Sequence, residues 1–196
     1  MILQKASEQE QRHSILVFGK PASGKTSLVK EHLLGSGFTP VWLSLNNLNG
    51  ILGEKGTATW MVGQPSSWLD FKSTVNGLCE DGGGEAIVID GLNLLVGMAL
   101  PLQPTQQAWG EMGAKIRDII LALRGSFAHV YVICDVLPND EGADQIAVNR
   151  DLYNKTISLF SEKWFCYTAP DKTGGVIYDV QMNGAMALRL KPLKRK

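Results

Sequence analysis

An apolar run that breaks into a glycine-rich turn and reopens as a helical pattern constrains this chain more than any other stretch. Ile15-Leu16-Val17-Phe18 leads into Gly19-Lys20-Pro21-Ala22-Ser23-Gly24-Lys25-Thr26, and Ser27-Leu28-Val29-Lys30-Glu31-His32-Leu33-Leu34 follows. The middle segment fits G-x-x-x-x-G-K-[ST], the P-loop pattern, and it lies between a strand and a helix as that pattern requires. Glycines at both ends let the backbone turn tightly and aim its N–H groups at phosphate oxygens. The positive end of the helix faces the same anion. The spacing predicts a nucleoside triphosphate, ATP, held by Gly19 through Ser27. Lys25 would reach the β- and γ-phosphates, and Thr26 would bind Mg2+ through its hydroxyl.

A second strand ends in an acid. Glu85-Ala86-Ile87-Val88-Ile89-Asp90 has the Walker B form. In a parallel sheet this strand can lie beside the P-loop strand, so that Asp90 faces Thr26 and the two share the metal. The bland alternative is a strand-end Asp that caps a turn.

The remaining chain alternates strands and helices. Gly35-Ser36-Gly37 stops the first helix. Pro40 to Leu45 reads as a strand, Asn46 to Gly50 as a loop, and Thr57 to Val62 as a short strand. Pro65-Ser66-Ser67 opens a helix to about Cys79, with Trp68, Phe71, Val75 and Leu78 on its core face. Thr105 caps a helix from Gln106 to Leu123, with Trp109, Met112, Ile116, Ile119, Ile120 and Leu123 inward. His129 to Cys134 is a buried strand ending near Asp135, and Leu137 to Asp144 reads as a loop. A helix over 147–161, strands over Lys163–Thr168 and Val176–Met182, an Asn183-Gly184 hairpin and a return strand to Leu190 complete the order. This order predicts an α/β domain with a mainly parallel sheet and a small β-rich C-terminal end, and the resemblance given below implies a RecA-like P-loop core. One domain is expected over 14–190, after a polar leader (1–13) and before a basic tail (191–196).

Composition narrows the classes. The chain has 196 residues and zero formal net charge, so there is no global pull toward nucleic acid or membrane. No apolar run is long enough to span a bilayer. The polar start carries no signal-peptide core, and Cys79, Cys134 and Cys166 are too widely spaced for a zinc site or disulfide framework. A reducing cytoplasm is the expected compartment. Charge is local: Arg189, Lys191, Lys194, Arg195 and Lys196 cluster at the end, with no acid after Asp179. With Trp164, Tyr167 and Tyr178 they form a candidate surface for single-stranded DNA, although aromatics at strand spacing also suit a core. No N-K-x-D base reader is present, and arginines are too few for the lid of a nucleotide kinase.

On Gly19–Thr26, Ala86–Asp90, the helix opened by Gln106-Gln107-Ala108-Trp109-Gly110, the strand His129–Cys134 and the basic end, the chain resembles the phage-encoded RecA-core proteins grouped as AAA-type ATPases. These include the Sak-type single-strand annealing proteins. The resemblance covers most of the chain. It implies ATP and Mg2+ binding, single-stranded DNA binding, self-association as a homo-oligomer, and work alongside a single-strand-binding protein, in a bacterial host's cytoplasm. One departure stands out. RecA-like cores carry a glutamate just beyond the second strand to activate water, and here Ser44 to Asn49 contains no acid. Asn46 or Asn47 can orient a water but cannot take its proton, and Glu54 is the nearest acid downstream. Slow hydrolysis, with ATP as an assembly switch, is therefore expected. A small-molecule or nucleotide kinase, and a regulatory ATP-binding subunit without turnover, stay open as alternatives.

Overall fold

A computed structural model describes residues 12–46, 48, 51–53, 56–138, 144–146, 156–171, 175–182 and 186–189. The predicted loop residue Asn47, the acid Glu54 and the tail Lys191, Lys194, Arg195 and Lys196 lie outside the described residues, as does the Asn183-Gly184 turn.

The elements run β1 (His13–Gly19), α1 (Lys25–Ser36), β2 (Val41–Ser44), β3 (Met61–Gly63), α2 (Trp68–Glu80), β4 (Gly84–Asp90), α3 (Leu92–Ala99), α4 (Gln106–Ser126), β5 (Phe127–Pro138), β6 (Asp144–Ile146), β7 (Glu162–Pro170), β8 (Val176–Met182) and β9 (Met186–Arg189). They build one sheet in the order β3-β2-β4-β5-β1-β7-β8-β9, with β6 paired to β5. From β3 to β7 every pairing is parallel. The last two strands are antiparallel.

Both faces of the sheet are covered, and the parallel strands read as continuous apolar runs for that reason. Leu16, Leu43, Ile87, Ile89, Val130 and Val132 point to the face packed by α2, α3 and α4. Their neighbours Ile15, Val17, Trp42, Val88, Tyr131 and Ile133 point to the other face, which α1 covers with Leu28, Val29 and Leu33. The helix faces expected from sequence are borne out: Phe71, Val75, Met112, Ile116, Ile119, Ile120 and Leu123 are buried, and Trp68, Leu78 and Trp109 pack partly buried against them. Ser67 and Thr105 cap α2 and α4, their side-chain oxygens accepting from the backbone N–H groups of Asp70 and Ala108 at 3.2 Å each. Gly37, with φ of 74°, closes α1.

Two expectations are corrected, on the neighbours of β1 and on where the loop after β5 begins. The Walker B strand β4 is not adjacent to β1; β5 pairs with both and lies between them. The stretch after Asp90 is a helix, α3, because Leu92, Leu95 and Val96 recur at helical spacing and bury on the sheet. The loop expected from Leu137 begins later. Strand β5 loses its β1 partner after Asp135, and its extension Val136–Pro138 instead pairs antiparallel with β6. Most of the helix expected over 147–161 lies outside the described residues; Thr156 is helical and is followed by a 3-10 turn at Ile157–Leu159. Ser161 there ties the chain to β1, accepting from Ser14 N–H at 3.0 Å.

Candidate functional site

The site lies at the C-terminal ends of β1, β4 and β5, where an open α/β sheet places its ligand crevice. The register sets its geometry. Gly19 at the end of β1 is opposite Asp135 on β5, and Asp90 at the end of β4 is opposite Ile133.

The P-loop is shaped for a close backbone approach. A side chain at Gly19 would run into the Cys166 carbonyl oxygen of β7. Gly24 has φ of 86° and caps α1, and a Cβ there would come within 3.1 Å of the Tyr178 ring. Ala22 also takes a positive φ, 62°. Ser23 Oγ is buried with no hydrogen-bond partner among the described residues, a costly arrangement for a hydroxyl unless the loop has a ligand. Lys20, Pro21 and Ala22 are exposed at the tip, and Ser27 is half-buried in the first turn of α1.

Lys25 is buried and folds back on the loop. Its Nζ donates to the carbonyls of Gly19 at 3.0 Å and Lys20 at 2.8 Å. It also lies 2.9 Å from Asp135 Oδ1. Thr26 Oγ1 donates to Asp90 Oδ2 at 3.1 Å. The predicted Thr26–Asp90 pair therefore meets even though a whole strand separates β1 from β4, because α1 leans across β5. Burial pushes the Asp90 carboxyl above its ordinary range. Hydrogen bonds from Thr26 and Asn46 and the Lys25 charge pull it back, and the nearby Asp135 carboxylate adds to the rise.

Asn46, expected to position water, is exposed, and its side chain hydrogen-bonds the Asp90 carboxylate. Gln64 Nε2 donates to its carbonyl at 2.7 Å and holds that turn. The described residues at the end of β2, Ser44, Leu45 and Asn46, include no acid.

Two residues of the site were missed from sequence. Asp135 contacts Lys25, and Asn93 Nδ2 on α3 donates to its Oδ2 at 3.2 Å. The signal for Asp135 was the one used for Asp90: an apolar strand ending in an acid. Asn93 needed α3 to be recognised first.

The candidate DNA surface fares differently. Trp164 is buried under α1, with its ring 5.0 Å from that of His32, so it belongs to the core and cannot stack on bases. Tyr167 is half-buried and donates to Asp179 at 3.0 Å. Tyr178 is half-buried against the P-loop. Arg189 ends β9, whose register puts it opposite Asp179. Burial pushes the Cys166 thiol up to about 12, and Cys134 is equally inaccessible, so both are core thiols. Among the described residues no group of His, Cys, Asp and Glu could hold a metal by itself, and no helix is long and apolar enough to cross a membrane.

The sheet order, the P-loop between β1 and α1 and the strand-end acids define an α/β protein of RecA-like fold. The chain is similar to the solved structure of the RadB recombinase, with a TM-score of 0.57 at 13% identity, over 87% of this chain and 80% of that one. No protein-family model and no curated protein sequence matches the chain.

Proposed function

We propose that the chain binds ATP and Mg2+ at Gly19–Ser27 and uses the nucleotide as an assembly switch for single-stranded DNA binding and strand annealing in phage recombination. The observation that carries the nucleotide reading is the 3.1 Å contact between Thr26 and Asp90 across β5, with the Lys25 ammonium beside it. A hydroxyl and a carboxylate brought together at the foot of a P-loop are the oxygen donors a hard cation takes. The fit is supported by the unpartnered Ser23 hydroxyl and by the backbone cradle that a side chain at Gly19 or Gly24 would fill.

In this reading the backbone of Gly19 to Thr26 binds the phosphates, and Lys25 neutralises their negative charge. Thr26 and Asp90 would hold Mg2+, which when bound offsets charge on the β- and γ-phosphates. Asn46 orients a water near Asp90 but has no site for its proton, so turnover is slow. The recombination reading draws on the fold shared with a recombinase, on the resemblance to phage annealing proteins, and on the basic segment Arg189 to Lys196. Self-association and a single-strand-binding partner belong to the same reading.

The test is phosphate release and gel filtration with Mg2+-ATP, with and without a single-stranded oligonucleotide. Slow release and ATP-dependent nucleoprotein assemblies are expected. Rapid DNA-stimulated turnover would remove the switch. A monomer that consumes ATP only when a small acceptor is added would make it a kinase. Removing residues 189–196 should weaken DNA binding and flatten its salt dependence, and unchanged affinity takes the tail out of the interface.

A further inference from the structure

A lysine ammonium has three donors and no acceptor. Lys25 Nζ has three partners among the described residues: the Gly19 carbonyl at 3.0 Å, the Lys20 carbonyl at 2.8 Å and Asp135 Oδ1 at 2.9 Å. The two carbonyls are neutral, so Asp135 supplies the counter-charge. It is also held from the far side, because its Oδ2 accepts from Asn93 in the first turn of α3 at 3.2 Å. The side chain of Asp135 remains 30% exposed, against 8% for Lys25. A ligand entering the crevice thus meets the carboxylate before it can reach the ammonium.

We propose that Asp135 is a positioning residue that latches Lys25 while the P-loop is empty, and that it makes the site select a phosphate carrying a divalent cation over a bare phosphate anion. This rests on the reading of Gly19–Thr26 as a nucleotide site. An arriving phosphate must take Lys25 from Asp135. It then sits beside the carboxylate it has displaced, with Asp90 close by on β4. Two carboxylates oppose a bare polyanion, and their repulsion acts in a partly desolvated crevice where charges are poorly screened. A divalent cation bound to the phosphates reverses the sign of that interaction, since both carboxylates then face a cation. Lys25 loses a counter-ion and the metal gains one.

An ion pair kept only for folding predicts something else. Asp135 ends the part of β5 paired with β1, and its backbone pairing with Gly19 does not depend on the side chain. Asn at this position retains an oxygen for Asn93 and loses only the charge. A purely structural pair would then cost stability and leave nucleotide preference alone.

The experiment titrates the full chain with ATP by calorimetry, in Mg2+ and in EDTA, for the wild type, Asp135→Asn, Asn93→Ala and Lys25→Ala. Asp135→Asn is expected to bind metal-free ATP about tenfold more tightly, the size of one charge-assisted hydrogen bond, and Mg2+-ATP with a much smaller gain. The preference for the metal complex therefore shrinks. Asn93→Ala, which frees the carboxylate without removing it, shifts the preference the same way by less, and Lys25→Ala loses both affinities. A folded Asp135→Asn that binds both forms as the wild type does, or loses both equally, overturns the latch. If Asp135→Asn fails to fold, an unshifted metal preference in Asn93→Ala overturns it instead. ATP binding by the wild type with no such shift sinks the latch alone. No ATP binding by wild type and variants alike sinks the nucleotide reading and the latch with it.

Discussion

The two ends of the central sheet collect ionisable groups in opposite ways. At the C-terminal ends of β1, β4 and β5, charges are brought together: Lys25 on Asp135, Asp90 on Thr26, and the two carboxylates close enough for each other's field to be felt. At the N-terminal ends of the same strands the chain's three histidines gather instead. His13 stacks on His129 at 5.3 Å, His129 lies 4.5 Å from Phe38, and His32 packs edge-on to Trp164. Glu162 accepts from the Trp164 indole at 3.1 Å and meets His13 Nδ1 at 3.0 Å. Burial lowers the affinity of His129 for a proton, and the neighbouring His13 and His32 lower it further; burial does the same for His32, against the pull of Glu162. One end gathers charges, and burial pushes the Asp90 carboxyl up. The other packs rings against each other, and burial lowers the proton affinity of His32 and His129. That is the pattern expected when one end works and the other supports.

The comparison is broken most directly by exchanging the effects of mutations at the two ends. Gly19→Val should abolish ATP binding, because the new side chain meets the Cys166 carbonyl and distorts the loop; Lys25→Ala should cost about a hundredfold in ATP affinity. Equilibrium dialysis with labelled ATP measures both, and near-native affinity in either would strip the P-loop of its role. Trp164→Ala, at the other end, should destabilise by about 3–5 kcal/mol in urea unfolding while leaving ATP affinity in the folded protein unchanged. A large affinity loss there would mean that the two ends are coupled.

Asp90→Asn separates the proposed metal role of Asp90 from its effect on stability. The Asp90 carboxyl titrates above its unfolded value of 3.8. The folded state therefore keeps a proton that the unfolded state has lost, and stability falls as pH rises through that window and stays lower above it. Removing the charge should raise the melting temperature of the ligand-free protein at pH 7 by a few degrees, for about 1 kcal/mol, and weaken the Mg2+ dependence of ATP binding. A lower melting temperature would show that the hydrogen bonds from Thr26 and Asn46 outweigh the burial of charge.

The smallest effect belongs to His129. Its proton affinity in the folded state lies below the unfolded value of 6.5, so the unfolded chain takes up the proton first as pH falls. Stability is then whole above about pH 6.5 and declines as pH drops through the folded value. His129→Phe keeps the ring against Phe38 and should flatten that decline in thermal melts taken from pH 7 down to about pH 5. An undiminished slope would assign it to His32.

Much of this was legible in the chain because its signals are local. Gly19–Thr26 specifies its own turn, since only glycine accepts the close approach at 19 and the left-handed backbone at 24 without strain. The buried faces of α2 and α4 follow from spacing alone. Other features were hidden for physical reasons. The apolar run after Asp90 could not be told from a strand by its composition, and burial of Leu92, Leu95 and Val96 on the sheet decides for helix. Trp164 at strand spacing looked available for stacking, and only α1 lying over it makes it core.

Sequence alone determined that a glycine-rich loop sits between a strand and a helix, and that two later apolar runs lead into acids, Asp90 and Asp135, because these depend on neighbours a few residues apart. Strand order belonged to the tertiary structure. Insertion of β5 between β1 and β4 is a long-range pairing that no local pattern encodes, yet it decides which acid touches which donor. It puts Asp135, rather than Asp90, on Lys25, and leaves Asp90 to Thr26.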